Sequence, residues 1–151
     1  IIVMAYEQHW SSSEEAGSVA QYKWVEGSIN VLFRTIPNEK MILGVPTYSR
    51  LWKESNGKVT SKTISMSETL KLISDKNLKP VWDEESSQNY VEYSENGAVY
   101  KIWIEDAASI EKKVSLVNKY NLSGVASWRL GFETKDIWDV IEKEIQNNKN
   151  N

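Results

Sequence analysis

Met41-Ile42-Leu43-Gly44-Val45-Pro46 is a short, nearly continuous apolar run that leads into Thr47-Tyr48-Ser49-Arg50. Such runs suit strands buried on both faces, as in parallel sheets. Two more stand at a distance, Ile1-Ile2-Val3-Met4-Ala5-Tyr6 before it and Gly124-Val125-Ala126-Ser127-Trp128 after it. Between the first two, Trp24, Val25, Ile29, Leu32 and Phe33 recur at helical steps, with Pro37 beyond their end. Ahead of the third, Asp106 is the expected N-cap of a helix reaching Tyr120, with Ile110, Val114 and Val117 on one face. After it, Thr134 is the expected cap of a last helix carrying Ile137, Trp138, Ile141 and Ile145. Strands alternating with helices predict βα units on a parallel sheet.

Residues 51–104 interrupt that alternation. Ser65-x-x-Glu68 is a capping box ahead of Leu70, Leu72 and Ile73. Tyr90-Val91-Glu92-Tyr93 and Val99-Tyr100-Lys101-Ile102-Trp103-Ile104 flank Glu95-Asn96-Gly97, a hairpin signal. The expected organisation is therefore 1–50 with 105–147 as one α/β part, 51–104 as a small α+β insertion, and 148–151 as a polar tail.

Composition narrows the chemistry. Of 151 residues, 40% are hydrophobic and 26% charged, and seven Trp, seven Tyr and two Phe supply apolar area for a packed core. There is no apolar run long enough to span a bilayer. The net charge of −3, without any basic run, argues against nucleic acid. With no Cys there are no disulfides, thiolate nucleophiles or thiolate metal ligands, and a single histidine, His9, argues against a zinc site, since carboxylates alone suit harder cations. No metal or cofactor is expected. A chain opening with Ile in mid-strand reads as cut from something longer.

Parallel βα proteins place working groups at the C-terminal ends of strands. Here those positions hold Tyr6, Glu7, His9 and Trp10, then Thr47, Tyr48, Arg50 and Trp52, then Trp128, Arg129 and Glu133. Rings, an arginine and carboxylates around one rim suit a sugar, whose faces carry C–H groups and whose edges need hydrogen-bond partners. The competing reading makes the same aromatics core. Trp10 either stacks at a cleft edge or packs its loop, and His9 reads as an ordinary loop histidine. Asp83, Glu105 and Asp106 read as capping and packing groups, Trp82 and Trp103 as insertion core, and Trp138 as core.

At these residues the chain resembles glycoside hydrolase family 18, the chitinase family. Met4-Ala5-Tyr6-Glu7 is similar to the M-x-Y-D motif closing that family's sixth barrel strand. Leu43-Gly44-Val45-Pro46-Thr47-Tyr48-Ser49-Arg50 is similar to the seventh, and Gly124-Val125-Ala126-Ser127-Trp128 to the eighth, which ends in Trp. Pro80-Val81-Trp82-Asp83-Glu84 and Ile102-Trp103-Ile104-Glu105-Asp106-Ala107-Ala108-Ser109 resemble the insertion between strands seven and eight. The likeness covers nearly all of residues 1–145 and is nearest to a bacterial branch of spore-germination and cell-wall proteins linked to SH3 or LysM modules.

The resemblance implies the C-terminal part, strands six to eight, of a (β/α)8 barrel. It implies action on β-1,4-linked N-acetylglucosamine in chitin or peptidoglycan, outside the cell or at the cell wall or spore. In that family the substrate's own acetamido oxygen attacks the anomeric carbon. Tyr6 would hydrogen-bond the acetamido group, Glu7 would contact the same sugar and Trp128 would floor the subsite. Arg50 would bind a neighbouring sugar or an acidic partner, and Tyr48 and Trp10 complete the substrate-binding set. Two departures stand out. The acid-bearing D-x-x-D-x-D-x-E motif occurs nowhere in this sequence, and Glu7 replaces the usual Asp. A whole barrel needs about 250 residues, so the chain alone is expected to be inactive. Its open strand edges are expected to drive association into a two-fold dimer. The other readings are a non-catalytic glycan-binding module and a scaffold domain.

Overall fold

A computed structural model describes residues 1–147; the expected tail at 148–151 lies outside the described residues. A first sheet holds three parallel strands, β1 (Ile2–Val3), β2 (Ile42–Pro46) and β8 (Gly124–Trp128), in the order β1-β2-β8. Helix α1 (Tyr22–Leu32) links the first two, α3 (Ala107–Lys119) precedes β8, and α4 (Asp136–Asn147) follows it. Val3, Leu43 and Val45 from the sheet pack against Val25, Ile29, Ile110, Val114, Val117 and Ile137 from the helices. Alternating strand and helix bury one shared apolar face, which is what makes this half cohere.

The outer strands depart from expectation. β1 stops at Val3, because Ala5 N–H bonds back to the Val3 carbonyl and curls the chain out of the ladder. Its Ile2 and Met4 are exposed, and β8 is half-buried up to an exposed Trp128. Each of these strands has one hydrogen-bonded neighbour among the described residues, so neither is covered like the central strand. Trp138, expected in the core, is also exposed. It follows buried Ile137, and one helical residue turns a side chain about 100° around the axis.

The second sheet is antiparallel, in the order β4-β3-β7-β6-β5. Its strands are β3 (Tyr48–Ser55), β4 (Lys58–Ser65), β5 (Val81–Asp83), β6 (Gln88–Glu95) and β7 (Ala98–Ile104). Helix α2 (Met66–Asp75) follows β4. β3 begins three residues before Leu51, since Tyr48, Ser49 and Arg50 already pair with Ser65, Ile64 and Thr63. Asn56-Gly57 and Asn96-Gly97 turn the β3–β4 and β6–β7 hairpins, all four residues at positive φ. The Ser65–Glu68 capping box forms, with Ser65 N–H bonded to the Glu68 carboxylate at 2.7 Å. The Asp106 cap forms as well.

The two faces of this sheet differ. Ile64, Val91, Ile102 and Ile104 pack against Leu51, Leu72, Ile73 and Leu78 on one side. Strand alternation and the pairings Trp52–Lys101 and Trp103–Tyr90 put Arg50, Trp52, Trp103 and Tyr90 on the other. Residues 8–20 arch over the middle of that face, where buried Trp52 donates its indole N–H to the Gly17 carbonyl at 2.8 Å. A fully buried pair, Lys113 and Glu105 at 2.9 Å, ties α3 to the end of β7. Gln88 donates to Glu105 at 2.9 Å and accepts from Ser18, which carries the tie into the arch.

Candidate functional site

The C-terminal ends of β1 and β2 bring four of the expected residues together. Gly44 makes the approach possible, since a Cβ there would stand 2.9 Å from the Val3 carbonyl and 3.3 Å from the Tyr6 ring. Beyond Tyr6 the chain turns through Glu7, whose φ of 62° lies in the left-handed region. That turn aims the Glu7 carboxylate at β3. The Tyr48 hydroxyl donates to it at 2.5 Å and Arg50 Nη2 at 2.7 Å. Arg50 is 7% exposed and Glu7 36%, so the pair has one foot in the protein and one at the surface. Arg50 also reaches Ser61 at 3.5 Å, while its Nε is buried without a partner among the described residues.

Electrostatics push both phenols in the same direction. Burial raises the Tyr48 pKa far above that of a free phenol, and its hydrogen bond to Glu7 adds to the rise. Burial and then the charge on Glu7 raise that of Tyr6. Both hydroxyls therefore remain protonated at neutral pH, able to donate hydrogen bonds.

β8 supplies the apolar surface. Trp128 is 56% exposed and lines a cleft of about 300 Å³ with Tyr48, Thr63, Arg129 and Phe132. Thr47 holds this end in place. Its N–H bonds to the Trp128 carbonyl at 2.8 Å and its hydroxyl to the Arg129 carbonyl at 2.9 Å, across a cis Trp128–Arg129 peptide. The Arg129 guanidinium lies 4.0 Å over the Phe132 ring. Tyr48 is the residue common to this cleft and the Glu7 cluster.

Trp10 is not part of the assembly. It is exposed on the arch, its N–H bonded to Ser13, and lines neither this cleft nor the one beside His9. Sequence reasoning missed Thr63 and Phe132. Thr63 arrives only through its pairing with Arg50, and the β3–β4 hairpin that makes this pairing was not among the expected elements. The arrangement offers phenolic donors, a carboxylate oriented by arginine, and an exposed indole face. It can hydrogen-bond the edges of a polyhydroxylated ring and stack against its face.

Residues 1–133 match the sequence model of glycosyl hydrolases family 18. The uncharacterized glycosylase YvbX of Bacillus subtilis is 30% identical over 146 residues, 93% of this chain and 41% of that protein. The fold matches a chitinase from Chromobacterium violaceum with a TM-score of 0.84 at 24% identity, over 95% of this chain and 44% of that one. It matches the spore cortex-lytic enzyme SleL of Bacillus megaterium with a TM-score of 0.81 at 25% identity, over 95% and 33%. The chain thus spans less than half the length of each of these three proteins.

Proposed function

Because this chain belongs to glycosyl hydrolases family 18, we propose that it carries part of the glycan site of a glycosidase acting on β-1,4-linked N-acetylglucosamine polymers, either chitin or peptidoglycan. In this reading β1, β2 and β8 are strands six to eight of a (β/α)8 barrel. The second sheet, inserted between the last two, forms one wall of its cleft. The observation that carries the reading is the Glu7 carboxylate held between Tyr48 and Arg50, beside Tyr6 and within one tyrosine of exposed Trp128.

The chemistry follows the substrate-assisted route, in which the acetamido oxygen of the sugar attacks its own anomeric carbon. The protein then has to orient that group, floor the subsite and supply an acid to the leaving oxygen. The Tyr6 hydroxyl donates to the acetamido oxygen. Glu7 accepts a hydrogen bond from the same sugar and is oriented by Arg50. Trp128 stacks beneath the ring. The leaving-group acid comes from outside this sequence, which has no D-x-x-D-x-D-x-E motif.

General acid catalysis contributes roughly a hundred- to ten-thousand-fold, so these residues alone bind rather than cleave. A spore or cell-wall location fits the likeness to the spore cortex-lytic enzyme SleL. Titrating the chain with chitotetraose by calorimetry tests the reading. Saturable binding that weakens at least tenfold in Trp128→Ala supports it, and binding unaffected by both Trp128→Ala and Glu7→Ala overturns it. Turnover of a fluorogenic chitobioside by the pure chain, abolished in Tyr6→Phe, would overturn the assignment of the acid to another part of the protein.

A further inference from the structure

Glu105 follows the last residue of β7 and was expected to cap or pack. The cap of α3 is Asp106 instead, and the Glu105 side chain is fully buried. We propose that Glu105 is a positioning residue for Glu7: it ties the strand that supplies Tyr48 and Arg50 to the turn that presents the Glu7 carboxylate, and so sets the geometry of that clamp. What the clamp serves rests on the glycan reading above; the tie itself does not.

Two routes lead from Glu105 to the clamp. The first runs through its backbone, whose N–H donates to the Ser49 hydroxyl at 2.8 Å. Ser49 is fully buried and lies between Tyr48 and Arg50, the two residues that grip Glu7. The second runs through its side chain. Oε1 accepts from the Gln88 amide at 2.9 Å, and that amide also donates to the Ile104 carbonyl at 3.2 Å. An amide can face a carboxylate only with its NH2 group, so the Gln88 oxygen is left to accept from the Ser18 hydroxyl.

Ser18 holds the far end of the turn. Its carbonyl accepts from the His9 N–H at 3.3 Å and bonds His9 Nδ1 at 2.9 Å. One residue on, the Val19 carbonyl accepts from the Gln8 N–H at 2.8 Å. Gln8 and His9 are the two residues after Glu7, whose φ of 62° is a conformation that persists only where the surroundings enforce it. The backbone on this side of Glu7 is set by Ser18 and Val19, and Ser18 is set by Gln88 and Glu105.

The other carboxylate oxygen is the anchor. Oε2 accepts from Lys113 at 2.9 Å and from Ser109 at 2.7 Å, both on α3. Ser18, Ser49, Gln88, Glu105, Ser109 and Lys113 are all buried. In such surroundings hydrogen bonds are strong, and a satisfied network rigidifies what it joins. Packing alone does not call for this one, since a buried ion pair can often be exchanged for apolar residues without loss of stability. What the charged pair adds is a fixed carboxylate that both sides of the clamp reach.

The test separates position from stability in the whole chain. Glu105→Leu with Lys113→Met removes the acceptor together with the charge it would strand. Glu105→Gln with Lys113→Met also removes both charges but keeps an oxygen for Gln88. Ser18→Ala cuts the last link and leaves the ion pair intact. Ile141→Val, which thins the core away from these bonds, is the control for stability. NMR reads the clamp without ligand, through exchange of the Arg50 Nε–H and the carboxyl carbon shift of Glu7.

Arg50 Nε–H exchange should quicken roughly tenfold in the Glu105→Leu double variant and in Ser18→Ala, with the Glu7 signal displaced in both. Both readouts should return toward the parent in the Glu105→Gln double variant and stay at the parent in Ile141→Val. Parent-like signals in Ser18→Ala or in the Glu105→Leu double variant would overturn the inference, and if that double variant fails to fold, Ser18→Ala decides alone. No recovery in the Glu105→Gln double variant, or an equal change in Ile141→Val, would overturn it as well. Affinity for chitotetraose should fall roughly three- to tenfold wherever the clamp loosens. A parent chain that binds no chitotetraose, or affinity unchanged beside a loosened clamp, would count against the proposed function and leave the tie standing.

Discussion

The Arg50 guanidinium and the Glu7 carboxylate meet at 2.7 Å although 43 residues separate them in sequence. The arginine is nearly buried and the glutamate is a third exposed, so the contact matters more to Arg50 than to Glu7. Removing the acid strands a buried cation. Breaking a fully buried pair costs about 3–5 kcal/mol, and solvent at Glu7 reduces this. Glu7→Ala should destabilise the chain by about 1–3 kcal/mol. Tyr48→Phe, which removes a neutral donor, should cost about 1 kcal/mol. Urea unfolding of both variants checks the order, and a larger loss in Tyr48→Phe would contradict it.

Lys113 and Glu105 form the pair with no solvent at either end. Burial raises the Glu105 pKa, against the lowering effect of the ammonium and of Ser109. Lys113→Ala should therefore cost about 3–5 kcal/mol, while the double substitution Lys113→Met with Glu105→Leu should recover much of that loss. Thermal melts of the single and double variants decide it.

Two tryptophans should part company. Trp52 is fully buried and Trp128 is 56% exposed. Trp52→Ala should cost about 3–5 kcal/mol, whereas Trp128→Ala should leave the melting temperature within a few degrees of the parent while weakening glycan binding. A large drop for Trp128→Ala would return that ring to the core.

Glu68 gives a pH dependence with a definite sign. The Ser65 backbone N–H, and then the Ser65 side chain, hold its pKa below the usual carboxylate range. A carboxylate with a lower pKa folded than unfolded stabilises the fold above its unfolded pKa, and that contribution is lost as pH falls through the folded value. The stability gap between the parent and Glu68→Gln should therefore shrink on acidification below about pH 4.5. Ser65→Ala should cost about 1 kcal/mol near neutrality. Denaturant midpoints from pH 7 to pH 3 test both.

Association is expected as well. Ile2, Met4, Trp128 and Leu130 are all exposed around the two outer strands of the parallel sheet. Unpaired strand edges with apolar neighbours favour chain-to-chain contact. Light scattering after size exclusion should give a mass above 17.3 kDa at high concentration. A clean monomer that binds no hydrophobic dye would contradict the expectation.

Legibility followed local signal. The apolar runs of β2 and β8, the Ser65 box and the Asp106 cap were readable because each depends on residues within one turn or one strand. Asn96-Gly97 was readable because aromatic and β-branched residues flank it. Asn56-Gly57 is the same signal, but Trp52-Lys53-Glu54-Ser55 and Lys58-Val59-Thr60-Ser61 around it are mostly polar, and that hairpin was not expected. Its absence hid Thr63 from the site. Trp103 was misplaced because alternation assigns a residue to a face without saying which face is covered. The clamp on Glu7 depends on a left-handed residue and a three-dimensional meeting, neither of which a linear pattern carries.

Thr47 alone separates the last residue of β2 from the first of β3, and both its N–H and its hydroxyl are stitched to the end of β8. A hinge needs several residues free to change φ and ψ. Here there is one, and it is already committed. The parallel sheet and the antiparallel sheet therefore cannot swing relative to each other at this seam, and the spacing from Trp128 to Arg50 behaves as a fixed gauge. Under the proposed glycan reading, a sugar entering between them meets a width set in advance, so selection at this seam acts by fit rather than by closure.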